Sequence, residues 1–340
     1  VPHLLAALDK FRGTASAAAL SQAVVNAAKS AGWSATAIPM SDGGEGLLEV
    51  VGGEARFTEV AGPLGLSVQA EWRLLPEQPG QPLTAVVEMS RAAGRALLPT
   101  PTGSDPMDAS TAGVGHLLLA ARDAGAGRIV IGCGGSATTD GGWGTVEVVG
   151  SAAALDGVEL VVACDVTTPF RDAATVFGPQ KGASPDQVDQ LTARLDDLAS
   201  RYREHWGVSV DTLPGAGAAG GLAGGLAVLG ARIVPGFDLV ADLVGLDQAL
   251  TRADLVITGE GHLDPPSFQG KVPGGVLERV AGRCAVVCIV GAADPDVLAA
   301  PPAGLEIISL NERFGPDRAR RETVLLVAQV TADALGRFCP

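Results

Sequence analysis

Lysine is nearly missing from this chain. Of its 24 basic residues, only Lys10, Lys29, Lys181 and Lys271 are lysines. Aromatics are scarce as well, at 4% of 340 residues with one tyrosine. Single-stranded nucleic acid is held on aromatic stacking platforms, so that class of partner is excluded first. Positive charge is short overall. The formal net charge is -14, a surface that repels nucleic acid and anionic membranes. Cysteine is limited to Cys133, Cys164, Cys284, Cys288 and Cys339, an odd number with no C-x-x-C pair. The first four lie in or at the end of apolar runs and read as small core residues of a protein in a reduced cytoplasm. Long hydrophobic runs are lacking too. Leu4–Leu8 is too short for a signal peptide. Pro214–Ala231 carries no charge, but it is mostly glycine and alanine and barely of spanning length, so no membrane span is expected.

What is present points to an α/β protein. The length allows about two domains at roughly 100–200 residues each. Short apolar runs at Leu4–Leu8, Ala37–Met40, Ile129–Ile131, Leu160–Cys164, Leu255–Ile257 and Val286–Val290 each end in a polar or glycine-rich loop. They read as buried strands whose carboxyl ends face ligand in open α/β sheets. Between them fall helical patterns over Thr14–Ala31, Asp105–Ala124, Ser184–Trp206, Asp238–Ala249 and Arg318–Leu335. Thr14 or Ser16 can cap the first, and Ser184-Pro185 opens the third. Phe57–Val60, Val68–Leu75 and Thr84–Met89 have turns and no helix between them, which predicts hairpins and a mixed sheet.

Three of the four lysines sit in glycine-bounded turns: Asp9-Lys10-Phe11-Arg12-Gly13, Gly178-Pro179-Gln180-Lys181-Gly182 and Gln269-Gly270-Lys271. Arg and Lys are not interchangeable where a compact, mobile ammonium is wanted. A chain that otherwise uses Arg and keeps Lys there suggests phosphate handling. Lys29, alone on a helix, is not expected to join them. Glycine totals 46, close to twice the usual share of about 7%. Gly134–Gly142 follows a strand and precedes a helix, and its N–H groups and hydroxyls suit a carboxylate or phosphate. Within it, Asp140 is a candidate metal ligand or proton acceptor. Gly215-Ala216-Gly217-Ala218-Ala219-Gly220 matches G-x-G-x-x-G. Pro235-Gly236 breaks the strand that a dinucleotide site would need, which leaves phosphate-facing backbone or close packing. Glu260, Asp264 and Lys271 share one loop and suit Mg²⁺ with a phosphate. Asp42 with Glu45, and Asp165, are further acidic points at strand ends. No Walker A motif or serine-hydrolase elbow is present.

Taken together, Ala7–Thr14, Ser41–Gly46, Glu88-Met89, Gly134–Gly142, Ala163–Val166, Phe177–Ala183, Pro214–Leu222 and Gly259-Glu260-Gly261 through Gly270-Lys271 resemble the bacterial glycerate kinases of type I. The blocks come in family order along nearly the whole chain. The resemblance implies ATP- and Mg²⁺-dependent phosphorylation of D-glycerate, usually at the 2-hydroxyl. It leaves open the 3-hydroxyl, another small hydroxy acid, or a non-catalytic glycerate- or nucleotide-binding protein, and also a homo-oligomer. It further implies a Rossmann-like domain with a parallel sheet from residues 1–60 and 245–340, an inserted mixed-sheet domain over 61–244, and a site in the cleft between them. Lys10, Lys181 and Lys271 are then expected to neutralise phosphates or the glycerate carboxylate. Asp42 or Asp165 would polarise the attacking hydroxyl, with Lys10 and Lys271 completing the catalytic set. Glu260 and Asp264 would hold Mg²⁺. Asp9, Arg12, Gly43, Gly44, Ser136, Thr138, Asp140, Gln180, Gly215, Gly217, Gly220, Gly221 and Ser267 complete the expected binding residues. The chain departs from the family at Pro266, where glutamine is usual, at Thr139, where asparagine is usual, and in a short stretch over Ser151–Gly157.

Overall fold

The computed structural model of the chain describes residues 1–98 and 106–338. The described strands, in chain order, are β1 (His3–Leu8), β2 (Ser34–Ala37), β3 (Glu54–Ala61), β4 (Ser67–Leu74), β5 (Thr84–Glu88), β6 (Arg128–Gly132), β7 (Glu159–Ala163), β8 (Arg232–Val234), β9 (Leu255–Leu263), β10 (Ala285–Ala293) and β11 (Leu305–Ser309). They form two sheets. One has five parallel strands in the order β11-β10-β9-β1-β2. The other has six, β3-β4-β5-β6-β7-β8, antiparallel from β3 to β5 and parallel from β5 to β8. The central parallel strands β1, β6, β7, β9 and β10 carry buried apolar runs because both faces are covered, whereas the edge strand β2 is half exposed.

The chain divides into two compact units. The first is Val1–Asp42, Glu49–Val51 and Gly236–Pro340; the second is Gly43–Leu48 and Gly52–Pro235. The first segment thus ends at Asp42, not at residue 60, because β3 pairs with β4 along its whole length and belongs to the second sheet. The return falls at Gly236 instead of 245, since the helix Gly236–Val244 packs with the first unit. In the first unit, Leu4, Leu8, Ile257 and Ile289 pack against Leu20 and Val24 of the helix Ala17–Ser30 and Leu326 and Val330 of the helix Thr323–Phe338. The core of the second unit gathers Ile129, Ile131 and Val162 with Phe170, Leu195 and Tyr202.

Several boundaries differ from the sequence expectation for identifiable reasons. The second strand is Ser34–Ala37, earlier than Ala37–Met40, although the Ile38 and Met40 N–H groups still donate to the Ala6 and Leu8 carbonyls of β1 at 2.8 and 2.9 Å. Ser16, not Thr14, caps the first helix, accepting the Ala19 N–H at 3.3 Å. The helix expected from Asp105 begins at Ala112; Asp105 itself lies outside the described residues. Gly245, in the left-handed region at φ 71, divides Asp238–Ala249 into two helices. Arg318–Leu335 is likewise two helices, Pro316–Arg321 and Thr323–Phe338, broken at Glu322 with φ -118.

Candidate active site

In the first sheet, β1 pairs with β2 on one side and β9 on the other. The chain therefore reverses its winding direction between β1 and β9, and their carboxyl ends open a crevice there. Leu8 stands beside Gly259, and the Asp9 N–H donates to the Gly259 carbonyl at 2.9 Å. A side-chain carbon at Gly259 would lie 1.9 Å from the Ile289 carbonyl oxygen, so only glycine lets the strands close. This brings Asp9 and Glu260, both buried, to one place. They line a cavity of about 550 Å³ with Lys10, Arg12, Asp42, Asp264 and Lys271.

The electrostatics of this crevice follow from burial. Burial, and then the charge of Asp42, push the Asp9 carboxyl up to about 7, against the pull of Lys10. Glu260 is also raised to about 7, chiefly by burial, while the Ser267 hydroxyl and the Lys271 ammonium oppose the rise. Burial alone would raise Asp264 too, but the Ser267 hydroxyl and Lys271 outweigh it and hold that carboxyl below its usual range. Asp264 caps the turn Pro265–Phe268. Its Oδ1 accepts the Ser267 N–H at 3.0 Å and hydroxyl at 2.7 Å, and Lys271 reaches the same oxygen at 3.4 Å. The fully buried Ser267 therefore positions Asp264. Pro266 sits in the first turn of this 3₁₀ segment, where no N–H is needed.

One observation bears on a cation. Glu260 Oε1 is buried and has no hydrogen-bond partner, an orphaned acceptor of the kind that an unfilled ion site leaves. Among the described residues no group of three His, Cys, Asp or Glu side chains forms a cage. The donor set suits Mg²⁺, which binds through one or two carboxylates with water and phosphates filling the rest. Sequence reasoning missed Asn311, Asp317 and Arg320, which line the same cavity from the C-terminal segment. No local motif marks them, and only the packing of that segment against the sheet brings them in.

The second unit gathers the other expected residues. Gly43 and Gly44 lie in backbone contact with Gly132 and Gly134. Lys181 is 8% exposed. Its ammonium donates to the Thr138 carbonyl and, at 3.3 Å, to the Ser136 hydroxyl. Gln180 beside it is exposed. Asp140 is buried, and its carboxylate accepts from Thr111 N and Oγ1 at 2.8 Å, Gly142 N at 3.1 Å and Gly144 N at 3.2 Å. Those four donors make it a brace between the loop and the helix Ala112–Asp123, leaving little of it for a metal, while burial outweighs them and still raises its carboxyl above the ordinary range. The G-x-G-x-x-G segment resolves to close packing. Gly217 lies against Pro169, Gly221 against Gly141 and Phe170, and Gly215 against Val166. Gly220 has φ +71, and a side-chain carbon there would meet the Thr138 carbonyl oxygen at 1.9 Å. Asp165 lies two residues past the end of β7, close to Cys133 and Cys164, whose thiols burial pushes up, that of Cys164 to about 11. Lys29 is exposed in the last turn of its helix.

A sequence model of the glycerate kinase family matches residues 4–335. The chain belongs to the glycerate kinase family. It is 34% identical to the glycerate 2-kinase of Escherichia coli K12, over 90% of this chain and 89% of that protein. It is 39% identical to the glycerate kinase of Halalkalibacterium halodurans, over 71% and 72% of the two chains. Its fold is similar to the crystal structure of a candidate glycerate kinase 2 from Salmonella typhimurium LT2, with a TM-score of 0.79, 30% identity and 99% of each chain covered. As an enzyme of the glycerate kinase family, the protein is a phosphotransferase, and the family implies ATP. Among the described residues, no helix is long and apolar enough to cross a membrane.

Proposed function

We propose that this protein transfers the γ-phosphoryl group of ATP to the 2-hydroxyl of D-glycerate, giving 2-phosphoglycerate and ADP. The observation that carries the reading is the crevice at the ends of β1 and β9, where Lys10 and Lys271 face Asp9, Asp42 and Glu260 around one cavity. The 2-kinase name of the Escherichia coli relative supports the position on the acceptor.

Phosphoryl transfer asks for alignment and charge neutralisation. The acceptor oxygen bonds to the γ-phosphorus as the bond from that phosphorus to the β,γ-bridging oxygen breaks. ADP leaves with the bridging oxygen, and the hydroxyl proton passes to a carboxylate. Asp42 lines the cavity beside both lysines and is our choice for that proton. Lys10 and Lys271 would neutralise the phosphates. Mg²⁺, when bound, supplies further charge neutralisation there, and Glu260 with Asp264 would hold it. Cys133, Cys164, Cys284 and Cys288 are free thiols, which suits a reaction in the cytoplasm.

The protein mixed with ATP, Mg²⁺ and D-glycerate should release ADP, and phosphorus NMR should show 2-phosphoglycerate. ADP release that does not depend on glycerate, or a thermal shift with no turnover, would overturn the reading. Lys271→Ala should lower kcat on the order of 100-fold while leaving the melting temperature within a few degrees. An unchanged rate would remove Lys271 from the site.

A further inference from the structure

We propose that Arg95 and Lys181 of the second unit form an oxyanion seat for the carboxylate of the hydroxy-acid acceptor, and that Arg95 sets the preference for an acid over its neutral analogue. The identity of the acceptor rests on the function proposed above; the seat itself rests on the geometry of this unit.

Lys181 is nine-tenths buried, yet the groups its ammonium bonds are neutral: the Thr138 carbonyl and the Ser136 hydroxyl. The carboxylate whose charge reaches it, Asp140, is engaged by Thr111, Gly142 and Gly144. A buried ammonium held only by neutral oxygens is under-compensated. The backbone then brings a second cation to it. The Arg95 N–H donates to the Gly135 carbonyl at 2.9 Å, the Ala137 N–H donates to the Ala93 carbonyl at 2.9 Å, and Gly94 bridges Ser136. This short ladder sets Arg95 beside the Ser136–Thr138 loop. Its charge is felt at Lys181. Burial is the main reason that ammonium falls to about 8; Asp140 opposes the fall, and Arg95 adds to it.

Arg95 is exposed, and among the described residues no carboxylate pairs with it. Two cations are thus brought to one loop, close enough for each to feel the other's charge, which is unfavourable until an anion arrives. A planar guanidinium and an ammonium together match a carboxylate. The acceptor has one fixed charge, its carboxylate, whereas the triphosphate already finds Lys10 and Lys271 in the first unit. A phosphate oxygen is the same chemistry from another source, and kinetics separates the two.

The test compares the protein with its Arg95→Gln and Arg95→Lys variants. Calorimetric binding of D-glycerate should weaken about 10- to 100-fold in R95Q, and R95K should recover part of it. In turnover, KM for glycerate should rise with KM for ATP unchanged. The preference for glycerate over glyceramide should shrink by about the same factor. R95Q should melt like the parent, because the side chain is exposed. If R95Q binds glycerate as tightly as the parent, or if KM for ATP rises in place of that for glycerate, the seat is not a carboxylate site. If the parent binds glycerate with Arg95-dependent affinity but never phosphorylates it, the seat stands and the proposed reaction falls.

Discussion

Asp9 pairs its place in the crevice with an energetic penalty. Its carboxyl is raised from 3.8 to about 7, first by burial. The unfolded chain ionises this group near its ordinary value while the native state resists. The associated stability is present below about pH 4 and is lost as pH rises through about 7. Asp9→Asn should therefore melt on the order of 3 °C higher than the parent at pH 8, with little difference at pH 4, and should lose activity. Thermal melts at the two pH values check this; a lower melt at pH 8 would mean that the ionised carboxylate is satisfied. The lysine bias made Lys10 and Lys271 legible from composition alone, and both line the crevice. Asp140 misled because its residue type suits a metal, while its four hydrogen-bond donors come partly from Thr111, 29 positions away.

Among the elements, the Gly134–Gly142 loop is the most heavily braced. Tyr202, the one tyrosine, is buried and donates to the Gly141 carbonyl at 3.0 Å. Gly220 accepts the Gly141 N–H through its carbonyl at 3.0 Å, and a side-chain carbon on it would run into the Thr138 carbonyl. Gly220→Ala should cost about 3 kcal/mol or more, since it combines a left-handed backbone with a clash against main chain. Gly182 has φ +94 but open space around it, so Gly182→Ala should cost only about 1 kcal/mol. Urea titrations of the two variants check the difference; equal losses would refute the packing account. The helices with capping and amphipathic signals were readable, as Ser184 and Pro185–Trp206 illustrate. The start at Ala112 was not, because Asp140 binds Thr111 across the fold and sets where that helix begins.

Across the whole molecule, the titrating groups predict a narrow activity window. Asp9 and Glu260 become charged as pH rises through about 7, and Lys181 loses its charge above about 8. If the carboxylates must be ionised and the ammonium protonated, kcat/KM for glycerate should peak between those values and fall on both sides. A profile measured from pH 5.5 to 9.5 checks this. Activity that stays flat to pH 9.5 would show that the Lys181 charge is not needed.

The sequence by itself determined the α/β class, the strand ends that carry acidic and lysine residues, and the family. Those signals are local: runs of Leu, Val and Ile, caps, glycine turns and ordered motifs. Tertiary structure alone decided the winding reversal between β1 and β9 that joins Asp9 to Glu260. It also decided that Gly215–Gly221 packs on Thr138 and Gly141. Each of these depends on strand order and on contacts between residues far apart in the chain. Strand pairing and burial are collective properties, and no short stretch of sequence encodes which distant neighbour will remove a group from water.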